Sequence, residues 1–410
     1  MKILFLLTQS LDGPLGIGRI GPLASELARL GHRVNILGLH PDFGSLTRRS
    51  FVQDGVRVEY VAPMHVQKRG NLKTYYSPGK TLWVATNAAW QLTRAALRVD
   101  ADLIHICKPH MMNGVAGLAA RFLRGRKLFL DCDDYEAESG HFGASWQKMG
   151  VEFFEKQLPR LVHCVTTNTY FLRDMLVQWD VPPEKIVYLS NGVERARFER
   201  PNSEQLDTLR AEWRLIGKRV IVFVGSLSMP SHPVDLLLTA FQKVHAALPD
   251  TVLMLVGGGE QFEILQRMAQ ELGISSVVRF CGRVAPEKAV LYYHAADVSV
   301  DPVLADNIAR GREPLKLFES WACGVPFISA DVGDRRMLLG SPPAGLLAQP
   351  GDAESLARAI HQILSDPEMA ETFRQRGLER VGAYYWDQLA GKLETMYQQA
   401  LEKKLIRTPS

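Results

Sequence analysis

Short runs of apolar residues alternate with helix-length segments along nearly the whole chain. The first half opens with KILFLL, and the second half contains VIVFVG, VLMLVG, VVRFCG, DVSVDP and VPFIS. After VIVFVG, apolar residues recur with a helical period at Val234, Leu237, Leu238, Phe241 and Val244. Buried strands separated by amphipathic helices are typical of a parallel, doubly wound sheet. The pattern therefore predicts an α/β fold.

The alternation occurs in both halves, and 410 residues exceed one ordinary core. We therefore expect two facing Rossmann-like domains with a cleft between them. The N-terminal domain is predicted over residues 1–190 and the C-terminal domain over 191–382. Residues 383–410 are predicted to form a C-terminal helix that crosses back to the first domain.

Within the first half, Gly and Pro residues and mixed polarity predict that residues 40–79 are rich in loops. First-half helices are predicted near Thr81–Leu97, Gly114–Phe122 and Trp146–Lys156. The last helices are predicted near Leu356–Leu364 and Trp386–Leu405.

Composition narrows the class of protein. The chain is 46% hydrophobic and 22% charged, and its longest apolar runs are strand-sized, far shorter than a membrane span. No signal-peptide layout precedes the first strand. The five scattered cysteines form no C-x-x-C pair, which favours a reducing cytoplasm and argues against disulfides or a zinc site.

Charge is distributed unevenly along the chain. Residues 1–190 hold 23 Lys and Arg against 17 Asp and Glu, whereas the remainder holds 25 against 27. A mildly basic first half favours an anionic acceptor or a peripheral position at the inner face of an anionic membrane, although ordinary surface variation explains it equally well. The basic residues form no cluster with interleaved aromatics, so nucleic acid is not an expected partner.

The most informative segment is REPLKLFESWACGVP, at residues 312–326. Pro314 suits the first position of a helix, and Lys316 and Glu319 then share one helix face. A helix N-terminus with a lysine favours a phosphate, and a carboxylate one turn deeper accepts hydrogen bonds from two hydroxyls. The spacing indicates a nucleotide or nucleotide sugar; a solvated ion-pair face is the alternative.

Glycines follow the opening strands of both halves. In the first half they are Gly13, Gly16 and Gly18; in the second they follow two strands, at Gly225 and at residues 257–259. Glycine lets the backbone approach an anion closely, but it also serves tight turns. The spacing lacks the dinucleotide fingerprint, so a nicotinamide dehydrogenase is not expected.

Four segments together resemble the family 4 retaining glycosyltransferases, which have the two-domain fold called GT-B. They are the opening glycine segment with ARLGHRV, the segment KIVYLSNGVERARF, the segment FVGSLSMPSHPVDLLLTAF with LMLVGGGE and VVRFCGRV, and the segment PLKLFESWACGVPFIS. In order and spacing these segments cover nearly the whole chain.

The resemblance implies transfer of a hexose from a UDP- or GDP-sugar to an acceptor hydroxyl, with retained anomeric configuration. The acceptor is a glycan, a lipid-linked molecule or a small molecule, as in polysaccharide biosynthesis. No cofactor or metal is implied. Glu319 would bind the ribose hydroxyls and Lys316 the diphosphate, which gives Lys316 a catalytic role. The other donor-site residues implied are Gly225, Ser226, Gly257, Arg283, Val284 and Leu317. Gly16, Ile17 and Gly18 would lie in a loop near the diphosphate and the acceptor.

This sequence departs from the family pattern at three places. Gly311 stands where the family has a first glutamate, and Glu313 is two residues out of register. Ser226 replaces an arginine after the strand. In LDCDDYE, Asp133 replaces a histidine; Asp133 and Asp134 are the carboxylates expected to orient an acceptor or assist proton transfer, with loop hydrogen bonds as the alternative. Asp131 and Asp133 also spell D-x-D, a metal–diphosphate motif of another fold, but they lie in the wrong half.

Two other functions remain open on the sequence. A non-catalytic nucleotide-sugar-binding subunit is compatible with Gly311 and Ser226. A sugar-nucleotide epimerase is compatible with the same fold, although no set of acid–base residues around one sugar can be assigned.

Overall fold

A computed structural model describes residues 1–69, 72–140, 142–229 and 232–402. The chain divides into two compact units. The first contains residues up to Asn191 together with the segment from Trp386, and the second runs from Gly192 to Tyr385. The structure thus divides the chain after residues 191 and 385, whereas the sequence predicted boundaries after residues 190 and 382. Each unit is built on its own largely parallel sheet with helices on both faces.

The first unit contains an eight-stranded sheet in the order β10-β9-β8-β7-β1-β2-β4-β3 and a two-stranded sheet of β5 and β6. Its strands are β1 (Lys2–Leu6), β2 (Arg33–His40), β3 (Ser50–Gln53), β4 (Val56–Pro63), β5 (Val66–Arg69), β6 (Leu72–Tyr75), β7 (Leu103–Cys107), β8 (Lys127–Cys132), β9 (Cys164–Thr167) and β10 (Ile186–Tyr188). Its first helices are α1 (Gly21–Arg29), α2 (Pro78–Arg98), α3 (Met111–Arg124), α4 (Glu136–Ser139), α5 (Ser145–Gln157) and α6 (Tyr170–Gln178).

The opening strand explains why this sheet is covered on both faces. Successive side chains of β1 point to opposite sides. Ile3 and Phe5 join a core with α1, whereas Leu4 and Leu6 join a second core with α2 and α3. The strand needs apolar residues at every position, which is why it appears as a continuous run in the sequence.

The second unit contains a six-stranded parallel sheet in the order β13-β12-β11-β14-β15-β16. Its strands are β11 (Arg219–Val224), β12 (Thr251–Val256), β13 (Val278–Gly282), β14 (Val298–Val300), β15 (Phe327–Ala330) and β16 (Gly345–Ala348). Its helices are α7 (Ser203–Glu212), α8 (Val234–Ala247), α9 (Phe262–Glu271), α10 (Pro286–His294), α11 (Asn307–Arg310), α12 (Leu315–Ala322), α13 (Arg335–Leu339), α14 (Ala353–Ser365) and α15 (Pro367–Arg380).

The last helix, α16 (Trp386–Glu402), belongs to the first unit. Trp386, Leu389, Leu393 and Tyr397 are buried in the same core as α1. The sequence predicted this helix as far as Leu405, and residues 403–410 lie outside the described residues.

Three expectations about local structure were wrong. The glycines at residues 16–18 do not lie in a loop: Gly16–Ile20 is a π-helical turn that continues into α1. Gly16 is required there by close packing, because an added Cβ would lie 2.4 Å from the carbonyl oxygen of Leu11. The segment 40–79 is also not mainly loops. It supplies β3, β5 and β6 in addition to β4. The sequence VRVEYV predicts β4 as a strand, and β4 pairs with β2 in the main sheet because alternate residues face the core.

The third wrong expectation concerns the start of α12. Pro314 precedes the helix as its N-cap residue and does not occupy the first helical position. Lys316 and Glu319 therefore lie in the first two turns, still three residues apart on one face. Helix α15 was not predicted, since its sequence is mostly polar and only Phe373 and Gly377 are buried.

Candidate active site

In the second unit, the candidate residues gather where the strand order reverses. β11 and β14 are neighbours in the sheet, although the chain forms β12 and β13 between them. Such a switch point leaves a crevice at the carboxyl ends of the strands, where open α/β sheets bind ligands. Gly225 follows β11 and Asp301 follows β14. Both lie beside the first turn of α12.

Asp301 joins two cations at this position. Its Oδ1 lies 2.9 Å from Lys316 Nζ, and its Oδ2 lies 3.4 Å from a guanidinium nitrogen of Arg335. Burial would raise the pKa of the Asp301 carboxyl, but the charges of Lys316 and Arg335 outweigh burial and hold that pKa well below its usual value. Asp301 is therefore an anion at neutral pH, and it fixes the position of the Lys316 ammonium group.

A pocket opens beside these three side chains. It is lined by Met229, His232, Pro233, Asp301, Val303, Leu304, Asp306, Ile308, Ala309, Arg312, Pro314, Lys316 and Arg335. The three lysine and arginine side chains outnumber the two carboxylates. Burial, and then the nearby charge of Lys316, lower the pKa of His232 well below its usual value, so His232 is neutral at pH 7. The surplus positive charge at a helix N-terminus favours an anionic ligand.

Glu319 lies one turn further along α12 and is half-buried. The hydroxyl of Tyr293 donates a hydrogen bond to Glu319 Oε2 at 2.8 Å. Burial, and then the adjacent carboxylate, raise the pKa of Tyr293 well above its usual value, so this hydroxyl keeps its proton. Tyr293 thereby orients the carboxylate, and among the described residues no other side chain hydrogen-bonds to Glu319. Oε1 can therefore accept hydrogen bonds from a ligand.

Two of the predicted donor-site glycines contact each other. Gly257 has φ +147, and a Cβ there would lie 1.8 Å from the carbonyl oxygen of Gly225. A Cβ on Gly225 would lie 3.6 Å from Lys316 Cε. Glycine is therefore required at 257 by close packing of the two strand ends, and Gly225 brings bare backbone next to the lysine.

The remaining predicted donor residues are more dispersed. Ser226 and Arg283 are exposed, and Val284 is partly buried against the core that contains β12 and α12. Leu317 is buried in that core, so its side chain is not available to a ligand. The assignment of Leu317 to the donor site stays a prediction, and it concerns the backbone of this residue. Gly311, at the position of the family glutamate, is also buried.

The first unit has its own switch point, between β1 and β7. Arg19, in the π-helical turn after β1, is buried and donates two hydrogen bonds to the Asp131 carboxylate, at 2.7 and 2.8 Å. It also donates to Asn191 Oδ1 at 2.9 Å and to the carbonyl oxygens of Ser190 and Leu189. Thr166 donates to Asp131 as well, at 2.6 Å. This network ties the turn to the ends of β8 and β10.

The hydrogen bonds of the Asp131 carboxylate argue against a metal-binding role for the D-x-D motif. Both of its oxygens accept hydrogen bonds from Arg19. Burial would raise the pKa of Asp131, but Arg19 outweighs it and keeps the group ionised. Within the residues that the structure describes, no three His, Cys, Asp or Glu side chains are arranged to hold a metal ion. Asp131 is thus a structural partner of Arg19.

A second buried group, the lysine cluster, surrounds Lys108 after β7. Lys108 forms ion pairs with Asp133 at 3.4 Å, with Asp134 at 3.3 Å and with Glu136. Burial would lower the pKa of Lys108, but these carboxylates outweigh it and raise that pKa well above its usual value. Burial raises the pKa of Asp133 to about 6. The sequence singled out Asp133 and Asp134, and the structure brings them together around a lysine that the sequence analysis missed.

Two carboxylates near the lysine cluster have different roles. Glu155 on α5 accepts backbone hydrogen bonds from the N–H groups of Glu136 at 2.8 Å and Ala137 at 3.3 Å. Burial raises the pKa of Glu155 to about 8. Glu138, by contrast, is exposed and pairs with Lys148 at 3.0 Å. His110 pairs with Glu136, and the buried His105 hydrogen-bonds to Tyr397, so both histidines have structural partners.

Comparison with known proteins explains the shared features of the two units. Residues 207–380 match the family model described as glycosyl transferases group 1, and residues 17–192 match the model described as glycosyl transferase 4-like domain. The chain belongs to glycosyltransferase family 4. Each matched segment contains one of the two charged clusters, around Lys108 and around Asp301. The fold is of the GT-B type that the family has.

Two curated relatives are informative. The chain is 31% identical over 232 residues to the GDP-mannose-dependent alpha-(1-6)-phosphatidylinositol monomannoside mannosyltransferase of Mycobacterium tuberculosis, a match that covers 56% of this chain and 60% of the relative. It is 24% identical over 398 residues to the D-inositol 3-phosphate glycosyltransferase of Corynebacterium glutamicum, covering 93% of this chain and 91% of the relative. The first match therefore spans somewhat less than two thirds of that family member.

Solved structures with the GT-B fold match this chain over almost its entire length. Sucrose-phosphate synthase from Thermosynechococcus elongatus has a TM-score of 0.77 and 21% identity, and the match covers 98% of this chain and 100% of the other. Anabaena HepE in complex with UDP-glucose has a TM-score of 0.73 and 20% identity, covering 97% and 100%. At these identities the matches show the fold.

Proposed function

We propose that this protein transfers a hexose from a nucleoside-diphosphate sugar to an acceptor hydroxyl. The observation that carries the proposal is the order of groups along α12. Lys316 and a pocket with surplus positive charge lie at its N-terminus, and the Tyr293–Glu319 pair lies one turn deeper. A diphosphate matches the first site and a ribose diol matches the second. The donor we favour is a UDP- or GDP-sugar.

The charges in the second unit also fit the chemistry of the leaving group. When the glycosidic bond breaks, negative charge develops on the diphosphate oxygens. Lys316 is held in place by Asp301 before the ligand arrives, so little reorganisation is needed to stabilise that charge. We propose that the side-chain cations and the helix N-terminus suffice, and that the reaction requires no metal. Activity should then be unchanged by EDTA.

We further propose that the transfer retains the anomeric configuration and takes place in the cytoplasm. In that mechanism the leaving phosphate helps to deprotonate the acceptor, and Asp133 and Asp134 orient it. The lysine cluster carries surplus negative charge, which suits hydroxyl groups better than phosphates. The names of the curated relatives, which specify a phosphatidylinositol monomannoside and an inositol phosphate, suggest a polyol on a lipid or a small molecule as the acceptor, with a glycan as the broader class.

The test combines donor and acceptor in one assay. Purified protein is incubated with UDP- and GDP-hexoses, with and without inositol-based, lipid-linked and glycan acceptors, and released nucleoside diphosphate is quantified. We expect release that depends on an acceptor, and NMR of the product should show the anomeric configuration of the donor. Conversion of the donor without an acceptor would instead indicate an epimerase.

The buried Gly311 favours one other candidate, a nucleotide-sugar-binding subunit without catalysis. The family's first glutamate contacts the transferred sugar, and no side chain is present at this position to do so. Donor binding without turnover of any acceptor in the same assay would support that function. Restoring the carboxylate, with Gly311→Glu, would not increase turnover if the present residues already position the sugar.

A further inference from the structure

Three neighbouring helices of the first unit expose an unusual amount of apolar surface. Of the twenty exposed large apolar side chains in the described part of the chain, nine lie on α2, α3 and α5. These helices account for only 48 residues, so the concentration is several-fold above an even distribution. Large exposed apolar patches are rare on surfaces that face water alone.

The exposed side chains form stripes along the helices. On α2, Trp83 and Trp90 are seven residues apart and therefore share one face. On α5, Trp146, Met149 and Phe153 form a similar stripe, and on α3 the most exposed is Phe122, at 73%. We call these six side chains the aromatic face.

The stripes point to the same side of the unit. Buried residues of α2 and α3, together with Leu158 just after α5, contribute to one core on a single face of the eight-stranded sheet. Helix α3 packs closely against α5, because a Cβ added to Gly114 would lie 3.3 Å from a ring carbon of Phe154. Helices that lie side by side on one face of a sheet present their outer surfaces in a common direction.

The charge on these helices has one dominant sign. Together they carry seven lysine and arginine residues against two glutamates, and one of the glutamates is the buried Glu155. Lys80 and Arg94 flank the two tryptophans of α2. Tryptophan is favoured at the boundary between headgroups and acyl chains, and adjacent cations are attracted to anionic headgroups.

A groove at the edge of the aromatic face adds an independent observation. It is formed between α2 and the strands β3 and β4, and Arg49, Arg94 and Arg98 line it with Ser50 and Gln91. None of the three arginines has a carboxylate within ion-pair distance among the described residues. Glu59 is the acidic residue in the lining. Three arginines with hydroxyl and amide neighbours suit a phosphate group.

We propose that the aromatic face and the arginine groove bind the surface of an anionic lipid bilayer. The aromatic side chains enter the headgroup region, and the groove takes the phosphate of an anionic lipid. No helix in the described part of the chain is long and apolar enough to cross a membrane, and this surface requires only peripheral contact. The inference is independent of the proposed transfer reaction, because vesicle binding is measured without donor or acceptor.

The test is flotation of the full chain with vesicles of phosphatidylcholine, with and without 30% phosphatidylglycerol. We expect at least tenfold stronger partitioning onto the anionic vesicles, with weaker binding at 0.5 M than at 0.1 M NaCl. Brominated lipid should quench tryptophan fluorescence, and quenching should fall in Trp83→Ser/Trp90→Ser. No partitioning of the wild-type protein onto the anionic vesicles would overturn the proposal.

Two pairs of variants separate the apolar and the charged contributions. Trp83→Ser/Trp90→Ser should weaken binding at least tenfold, and Arg94→Gln/Arg98→Gln about 25-fold, or about fivefold per cation. The matched controls change exposed residues of the second unit, Ile216→Ser/Ile264→Ser and Lys218→Gln/Lys288→Gln, and should bind as the wild type does.

All of these positions are exposed, so circular dichroism and the unfolding midpoint should be unchanged in every variant. Equal losses in the controls would overturn the assignment of the surface. So would a dimer in sedimentation velocity that dissociates on Trp83→Ser/Trp90→Ser while vesicle binding is unaffected. That result would assign the aromatic face to a second copy of the chain.

Discussion

The two units place buried charge at equivalent points of similar sheets, but with opposite balance. In the second unit, Asp301 is shared by Lys316 and Arg335, and the pocket has surplus positive charge. In the first unit, Lys108 is shared by Asp133, Asp134 and Glu136, and the surplus is negative. On the proposed function, the positive surplus suits an anionic diphosphate and the negative surplus suits neutral hydroxyl groups. The sign of the surplus distinguishes the two sites better than the topology does.

The largest effect is expected when the positively charged pocket of the second unit is disrupted. Lys316→Ala removes a cation from the first turn of α12, and we expect kcat/KM for the donor to fall about 10³-fold, equivalent to about 4 kcal/mol. The control is Lys243→Ala, which removes an exposed lysine paired with Glu354 in the same unit; such pairs contribute at most about 1 kcal/mol. Steady-state kinetics with the donor varied would detect the difference, and a loss of less than tenfold would contradict the role of Lys316.

Disrupting the lysine cluster of the first unit should lower the stability of the fold. Lys108→Met leaves three carboxylates, one of them the buried Glu136, without their cation, and removing one partner of a buried ion pair costs about 3 kcal/mol. Urea unfolding should show this as a lower midpoint. In Lys108→Met/Glu136→Gln one uncompensated charge is also removed, so we expect part of the stability to return. If the double variant is no more stable than the single one, the charges are not coupled as described.

The pH dependence of stability tests the buried Glu155 of the first unit. Burial raises the pKa of Glu155 in the folded chain to about 8 from an ordinary value near 4.5. The unfolded chain therefore releases this proton first, and the contribution of Glu155 to stability falls as pH rises from about 4.5 to about 8. Glu155→Gln keeps the group neutral and should therefore be more stable than wild type at pH 9, by a few kcal/mol, with little difference at pH 4.5.

The control for Glu155 is Glu152→Gln on the same helix, which should not change the pH profile. Thermal unfolding in buffers from pH 4.5 to 9 gives both profiles. Parallel curves for wild type and Glu155→Gln would show that the buried carboxyl does not titrate in this range.

The smallest expected effect concerns the orientation of Glu319. Tyr293→Phe keeps the buried ring but removes the hydroxyl that donates to Oε2, and a hydrogen bond to a charged group contributes about 1.5 kcal/mol. Donor affinity, measured by calorimetry, should fall about tenfold while the fold is preserved. Tyr292→Phe, at the neighbouring position, should leave affinity unchanged. Equal donor affinity of Tyr293→Phe and the wild type would mean that Glu319 needs no orienting partner.

Local patterns in the sequence were enough to predict the continuously apolar strands and the helix with Lys316 and Glu319. The run KILFLL is apolar at every position because β1 is buried on both sides, and PLKLFE brings its two charges to one face by spacing alone. Both features depend on residues within a few positions of each other. They can be recognised without knowledge of the rest of the fold.

The residues that the sequence missed are defined by distant partners. Arg19 and Asp131 are 112 residues apart, and Tyr293 and Glu319 are 26 apart. Asp301 and Lys108 each follow a buried strand, but only the folded sheet shows that these strands flank the switch points. An arginine within the apolar stretch of residues 15–23 was the available signal for Arg19. The glycines at 16–18 favour a loop on the sequence, because glycine is common both in loops and where helices pack closely.

Isothermal titration of UDP- and GDP-hexoses into the wild type and Glu319→Ala, in EDTA, tests the central claim most directly. The claim is that α12 of the second unit binds the donor through a diphosphate site and a diol site. We predict that the wild type binds at least one donor and that Glu319→Ala binds it at least 100-fold more weakly, with an unchanged unfolding midpoint. Equal affinity of the two proteins for the same donor would contradict the account, as would the absence of binding by the wild type.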